Sequence, residues 1–135
     1  MRAAKANKVK RVVITSSVAA IMVSKDEAKT EFSVSDWSNT DIAIPYLKSK
    51  TLAEKAAWDF IKNLPEDDKF ELVTILPGFV LGPNLNEAQF SSGDVIKKLM
   101  MRELPALPHL SFVIVDVRDV AEAHLRALQI KEAAG

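Results

Sequence analysis

Tyr46 and Lys50 stand four residues apart in a segment with helical patterning, so both fall on one face of a helix, one turn from each other. A phenol ordinarily titrates near 10, and an ammonium one turn away favours the phenolate. Bringing such a phenol to neutrality asks for roughly 4 kcal/mol of differential stabilisation. A partly buried ammonium and a bound cationic nicotinamide could supply that between them. Ser16 or Ser17, just beyond an apolar run, could hydrogen-bond the same substrate oxygen. Such a set gives a proton donor, a tuning cation and an orienting hydroxyl for a carbonyl that receives hydride. Alone, a Tyr-x-x-x-Lys pair is a weak signal, because such pairs arise on many solvated helices.

The elements that must hold these residues follow from periodicity. Residues 1–6 are strong helix formers and Asn7 is a possible helix end. Residues 11–15 form a β-branched run fit for a buried strand, and Thr15-Ser16-Ser17 lies at its C-terminal end. A polar loop spans Ser24 to Asp41. A long helical pattern follows from about Asp41 to Asn63 and is stopped by Pro65. Its expected apolar face holds Leu47, Leu52, Ala53, Ala56, Ala57, Phe60 and Ile61. Residues 70–76 are a second buried strand ended by Pro77-Gly78, and Gly82-Pro83-Asn84 is a turn. A helix is predicted from Ser92 to about Met101, with Ser91 or Ser92 near its N-cap, then a third strand over 110–115 and a last helix from Asp116 to Ile130. Strands alternating with helices imply a mostly parallel sheet covered by helices, in one α/β domain. Ligands of such a sheet bind beyond the C-terminal strand ends, where residues 15–17, 76–78 and the turn into Asp116 all arrive.

Composition narrows the function classes. The 135 residues carry 18 basic and 18 acidic side chains, so net charge gives no reason to expect nucleic acid or an anionic membrane. With no cysteine, a disulfide framework, a thiolate nucleophile and a zinc ribbon are excluded. His109 and His124 cannot make a metal site without carboxylate help; His124 reads as packed, and His109 as a loop residue between prolines. No apolar run reaches the roughly 18 residues of a membrane span. Trp37 and Trp58 read as packing residues, residues 66–68 as an acidic loop, and the basic N-terminal residues, Arg11 among them, as an exposed helix face and loop. The expected location is cytoplasmic.

Four motifs occur in order: VKRVVITSS at 9–17, PYLKSKTLAEKAA at 45–57, LPGFVLGP at 76–83 and VDVRDVAEAH at 115–124. Together they resemble the extended short-chain dehydrogenase/reductase family, and within it the dihydroflavonol-reductase and cinnamoyl-CoA-reductase-like group, over nearly the whole chain. The resemblance implies a doubly wound, mostly parallel Rossmann-type sheet. It implies Tyr46 as proton donor and Lys50 as the residue that tunes it and binds the nicotinamide ribose. The family's serine aligns best with Ser17, with Ser16 adjacent and open. Thr15, Ser16, Pro77, Gly78 and Val80 join Tyr46 and Lys50 on the cofactor side, and Asp116, Arg118 and Asp119 match a supporting segment. The implied cofactor is NADP, with NAD open, and the implied substrate is a small carbonyl compound. A homo-oligomer is possible.

The family's Gly-x-x-Gly-x-x-Gly turn is absent from these residues, whose glycines are Gly78, Gly82, Gly93 and Gly135. Residues 1–135 are therefore expected to be the central, catalytic portion of one such domain, truncated at both ends and short of its first strands. Three other readings stay open: a nucleotide-sugar epimerase of the same family, a non-catalytic dinucleotide sensor, and an inactive fragment. Dehydratases of that family carry Thr-Asp-Glu where this chain has Ser16-Ser17-Val18, which counts against them.

Overall fold

The computed structural model describes residues 1–85, 91–106 and 111–134. His109 and the expected strand start at Leu110 lie outside them. Helix α1 (Arg2–Ala6) closes at Asn7, whose side-chain amide donates to the Ala3 carbonyl at 2.8 Å. Lys8, at φ 51°, turns the chain into β1 (Arg11–Thr15). A short 3-10 turn (Val18–Ala20) and a long loop lead to α2 (Pro45–Lys62). Then come β2 (Glu71–Ile75), β3 (Phe79–Leu81), α3 (Ser91–Met100), β4 (Ile114–Asp116) and α4 (Val117–Gln129).

All strand pairing is parallel. β1 pairs with β2 from Arg11 opposite Glu71 to Thr15 opposite Ile75, and β3 pairs with β4 from Phe79 opposite Ile114 to Leu81 opposite Asp116. The single sheet expected from the sequence is, among the described residues, two separate two-stranded pairs. Residues 79–81, between the Pro77-Gly78 stop and the turn at Gly82, form β3. It can pair because Gly78 lets the backbone close on Val113, whose carbonyl accepts from the Phe79 amide at 2.6 Å. A Cβ built on Gly78 would overlap that carbonyl oxygen and lie 3.0 Å from its carbon. Gly82 sits at φ +138°, a conformation that favours glycine.

The core gathers Phe70, Leu72 and Val73 with Ala19, Ala20, Ala57 and Ala127. Pro45 at the first helical position fixes the start of α2, so residues 41–44 are not helical as expected. The buried side of α2 also differs. Thr51, Glu54 and Ala57 are buried, whereas Leu52, Ala53 and Ala56 are exposed. The helix meets the small residues of the 3-10 turn and the serines before it, so polar groups find partners there. Thr51 returns its hydroxyl to the Leu47 carbonyl at 2.8 Å.

Two fastenings hold the periphery. Buried Ser38 pins the long loop: its amide donates to the Ala20 carbonyl and its hydroxyl to the Ala19 carbonyl, both at 2.8 Å, while Oγ accepts from the Val23 amide at 2.9 Å. Arg11, expected on an exposed basic face, instead has a side chain only 10% exposed. Its guanidinium donates to Glu71 at 2.5 Å and to the carbonyls of Ala127, Ile130 and Lys131 at 2.7, 2.6 and 3.2 Å, capping the C-terminal end of α4.

Candidate active site

The C-terminal ends of β1 and β2 are stitched together. The Ser16 amide donates to the Ile75 carbonyl at 2.8 Å and the Val18 amide to the Pro77 carbonyl at 3.1 Å. Thr15, Ser16, Ser17, Pro77 and Gly78 therefore converge at one edge, where the parallel order of β1 and β2 points a ligand. Val80 lies further on, inside β3 opposite Val115.

The two serines differ in what they hold. The Ser16 hydroxyl donates to the Glu54 carboxylate, a buried bond to the middle of α2. The Ser17 oxygen accepts from the Ala19 amide at 3.1 Å as N-cap of the 3-10 turn. Its hydroxyl proton has no acceptor among the described residues. Ser17 can therefore donate to a ligand oxygen, and Ser16 is already spent. Thr15 is engaged too: Oγ1 lies 2.7 Å from His124 Nε2, and His124 Nδ1 lies 2.7 Å from the Val120 carbonyl. A carbonyl only accepts, so Nδ1 carries a proton, and in the neutral ring Nε2 takes the proton of Thr15. His124, read as packed, is half-buried and held at both ring nitrogens.

Tyr46 and Lys50 lie on α2 with Glu54 one turn beyond Lys50. Each four-residue step rotates only about 40° around a helix. The stripe that carries the phenol and the ammonium thus continues into the residue that grips Ser16. The Tyr46 ring is exposed, and neither its hydroxyl nor the Lys50 ammonium has a hydrogen bond or ion pair among the described residues. No hydrogen bond joins Tyr46 to Ser17. The structure brings the two elements together and leaves their reactive groups free, as is common before a substrate draws such groups in.

Glu54 was not singled out from the sequence, and Trp58, read as a packing residue, is also its hydrogen-bond donor. Trp58 Nε1 donates to the second Glu54 oxygen at 3.3 Å, and Trp37 stacks beneath the Lys55 ammonium, 5.1 Å from its ring centre. An apolar cavity of about 450 Å³ opens beside Glu54, Trp37, Trp58 and Leu72. The signal was present as an acidic residue continuing the Tyr46–Lys50 stripe. Asp116 caps α4, accepting from the Arg118 amide at 2.8 Å and holding its guanidinium through both oxygens at 2.9 and 2.7 Å. Those bonds lower its carboxyl to about 2. No cluster of three potential metal ligands occurs among the described residues, and no helix there is long and apolar enough to cross a membrane.

No family profile matches the chain. It is 34% identical over 145 residues to the NADPH-dependent methylglyoxal reductase of Saccharomyces cerevisiae, an alignment covering 96% of this chain and 42% of that protein. It is 36% identical over 138 residues to a cinnamoyl-CoA reductase of Medicago truncatula, covering 98% of this chain and 41% of that one. The crystal structure of the yeast methylglyoxal/isovaleraldehyde reductase complexed with NADPH superposes at a TM-score of 0.84 and 34% identity, over 99% of this chain and 44% of that chain. A UDP-glucose 4-epimerase of Thermus thermophilus in complex with NAD is similar in fold alone, at a TM-score of 0.65 and 22% identity over 94% of this chain and 42% of that one. The chain thus spans about two fifths of the length of the curated relatives it matches. Its α/β architecture is part of a Rossmann-type fold.

Proposed function

We propose that this chain, which belongs to the extended short-chain dehydrogenase/reductase family in its dihydroflavonol-reductase and cinnamoyl-CoA-reductase-like group, is the catalytic portion of an NADPH-dependent reductase of small carbonyl compounds. The observation that carries the reading is the stripe Tyr46–Lys50–Glu54 fastened to the Ser16-Ser17 edge, with the donors of Tyr46, Lys50 and Ser17 uncommitted. The residues fit the nicotinamide end of the cofactor. Besides Lys50, the Gly78 amide makes no hydrogen bond among the described residues and stands at the same edge. The pyrophosphate end has no glycine-rich turn in these residues, and we assign it to further sequence of the full-length enzyme.

When bound, NADPH supplies the hydride. Tyr46 gives its proton to the carbonyl oxygen as negative charge develops there. Ser17 donates a hydrogen bond to the same oxygen and orients it. Lys50 favours the phenolate form that remains and holds a ribose hydroxyl. Pro77 and Gly78 line the nicotinamide side, with Val80 behind them. Thr15 and Ser16 act on the cofactor side through the edge they build, since their hydroxyls are held by His124 and Glu54. The reductase reading stands above the epimerase one because the sequence relatives are reductases, and the epimerase likeness is one of fold.

In the full-length enzyme, Tyr46→Phe should lower kcat by about 10²–10⁴-fold, the usual worth of a positioned general acid, with NADPH affinity within severalfold. Lys50→Met should damage turnover and cofactor affinity together. Retention of more than about a tenth of wild-type kcat by Tyr46→Phe defeats the assignment.

A further inference from the structure

We propose that Glu54 is a positioning residue that sets the axial register of α2 against the serine edge, and so the distance from Ser17 to Tyr46 and Lys50. This rests on the reductase reading above. Glu54 is 6% exposed, a burial that carboxylates tolerate only with partners. Its partners are the Ser16 hydroxyl on one oxygen and Trp58 Nε1 on the other. No cation pairs with it among the described residues.

The surface it crosses offers little other registry. α2 packs on the 3-10 turn; Ala19 and Ala20 of the turn and Thr51 of the helix are all buried to 2% exposure or less, and Thr51 spends its hydroxyl within its own helix. Small side chains let one element slide along another. The Ser16–Glu54 bond is directional, buried and placed between the two halves of the candidate site: Ser17 is the next residue on one side, and Lys50 is one turn away on the other. Buried polar pairs that fix register are a known use of such bonds. Trp58 holds the far oxygen from the following turn, which leaves the near oxygen aimed at Ser16. A shift of about 1 Å between reacting groups is enough to cost on the order of 10²-fold in rate.

The test is steady-state kinetics and NADPH titration of full-length Glu54→Leu, Glu54→Gln and Ser16→Ala, with Tyr46→Phe assayed beside them. Glu54→Leu should lose about 10–100-fold in kcat, while its dissociation constant for NADPH rises less than that of Lys50→Met, because the Lys50 ammonium is kept and pyrophosphate binding lies elsewhere. Glu54→Gln keeps an acceptor for Trp58 and offers an amide to the Ser16 oxygen, so it should recover kcat to within about fivefold of wild type. Ser16→Ala breaks the same bond and should match the loss in Glu54→Leu, and the double variant should lose no more than either single one. Wild-type kcat in Glu54→Leu, or in Ser16→Ala should the leucine variant fail to fold, overturns the proposal if Tyr46→Phe is inactive. A Glu54→Gln variant as slow as Glu54→Leu also overturns it, since charge and not register would then matter. An active Tyr46→Phe condemns the reductase reading instead.

Discussion

Replacing Arg11 by Met removes a guanidinium and keeps most of the apolar stem. Four hydrogen bonds go with it: one to Glu71 and three to the carbonyls of Ala127, Ile130 and Lys131. Hydrogen bonds to a charged group are worth about 1.5–3 kcal/mol each, but one cation shared among three carbonyls does not give three full shares. The Glu71 arm is about half exposed and adds at most about 1 kcal/mol. The helix-end contribution lies between about 0.3 and 2 kcal/mol. Ala127 is 4% exposed, so its carbonyl finds no ready replacement in water. Together these give about 3 kcal/mol of destabilisation for Arg11→Met. Arg11→Lys should cost about half as much, because an ammonium has no planar fork to reach Glu71 and the helix end at once. Glu71→Gln should cost under about 1 kcal/mol. Urea unfolding of the protein, read by far-ultraviolet circular dichroism, measures all three. Arg11→Met within about 0.5 kcal/mol of wild type, or Glu71→Gln equal to it, would reduce the clamp to a surface ion pair.

Gly78→Ala forces a methyl into the Val113 carbonyl, so β3 and β4 must part; melting should drop by the equivalent of about 1–3 kcal/mol, with turnover falling alongside, and an unchanged melting temperature would show the contact to be slack. Asp116 is held at about 2 by its bonds to Arg118, so its contribution is complete above the ordinary carboxylate range and disappears as pH falls through about 2. The melting-temperature gap between wild type and Asp116→Asn should therefore be widest at neutral pH and close between about pH 4 and pH 2; a gap that widens on acidification contradicts it. The 135 residues on their own should bind NADPH weakly or not at all by titration calorimetry, since they contain no glycine-rich turn. The edge of β1 away from β2, unpaired among the described residues, should also favour self-association, and low-micromolar binding by a folded monomer would reveal a phosphate site within these residues.

Where an element depends on its own residues, the sequence announced it. The β-branched run 11–15 became β1, Pro45 and Pro65 bracket α2, and Asn7 closes α1 as a helix-ending residue should. Where an element depends on a distant partner, local pattern was silent. β3 is three residues behind Pro77-Gly78, and its pairing exists only because residues 114–116 come back alongside. The buried face of α2 was misjudged for the same reason. Hydrophobicity favours Leu52 and Ala53, but the neighbour is a pair of serines and a turn of alanines, which accept Thr51 and Glu54. Arg11 looked like one of several basic residues until the end of α4 supplied the carbonyls. In the candidate site, the placing of Tyr46 and Lys50 on one helix and of Ser16 and Ser17 at the end of β1 was legible from type and spacing. The different hydrogen-bond partners of Ser16 and Ser17 were not, because they are Glu54 and the Ala19 amide.

The Ser38 fastening makes the route from the serine edge to Tyr46 a short circuit. By contour, the chain wanders through residues 21–44 before it starts α2. By contact, it returns to Ala19 and Ala20 at Ser38, only seven residues before Pro45. The stretch between Val23 and Ser38 is then a closed side loop, whose length does not enter the spacing of the reactive groups. Doubling such a loop costs only about 0.6 kcal/mol of closure entropy. Insertions and deletions there act as ornament on a fixed frame, so variation can accumulate in residues 24–37 without moving the start of α2 against Ala19 and Ala20.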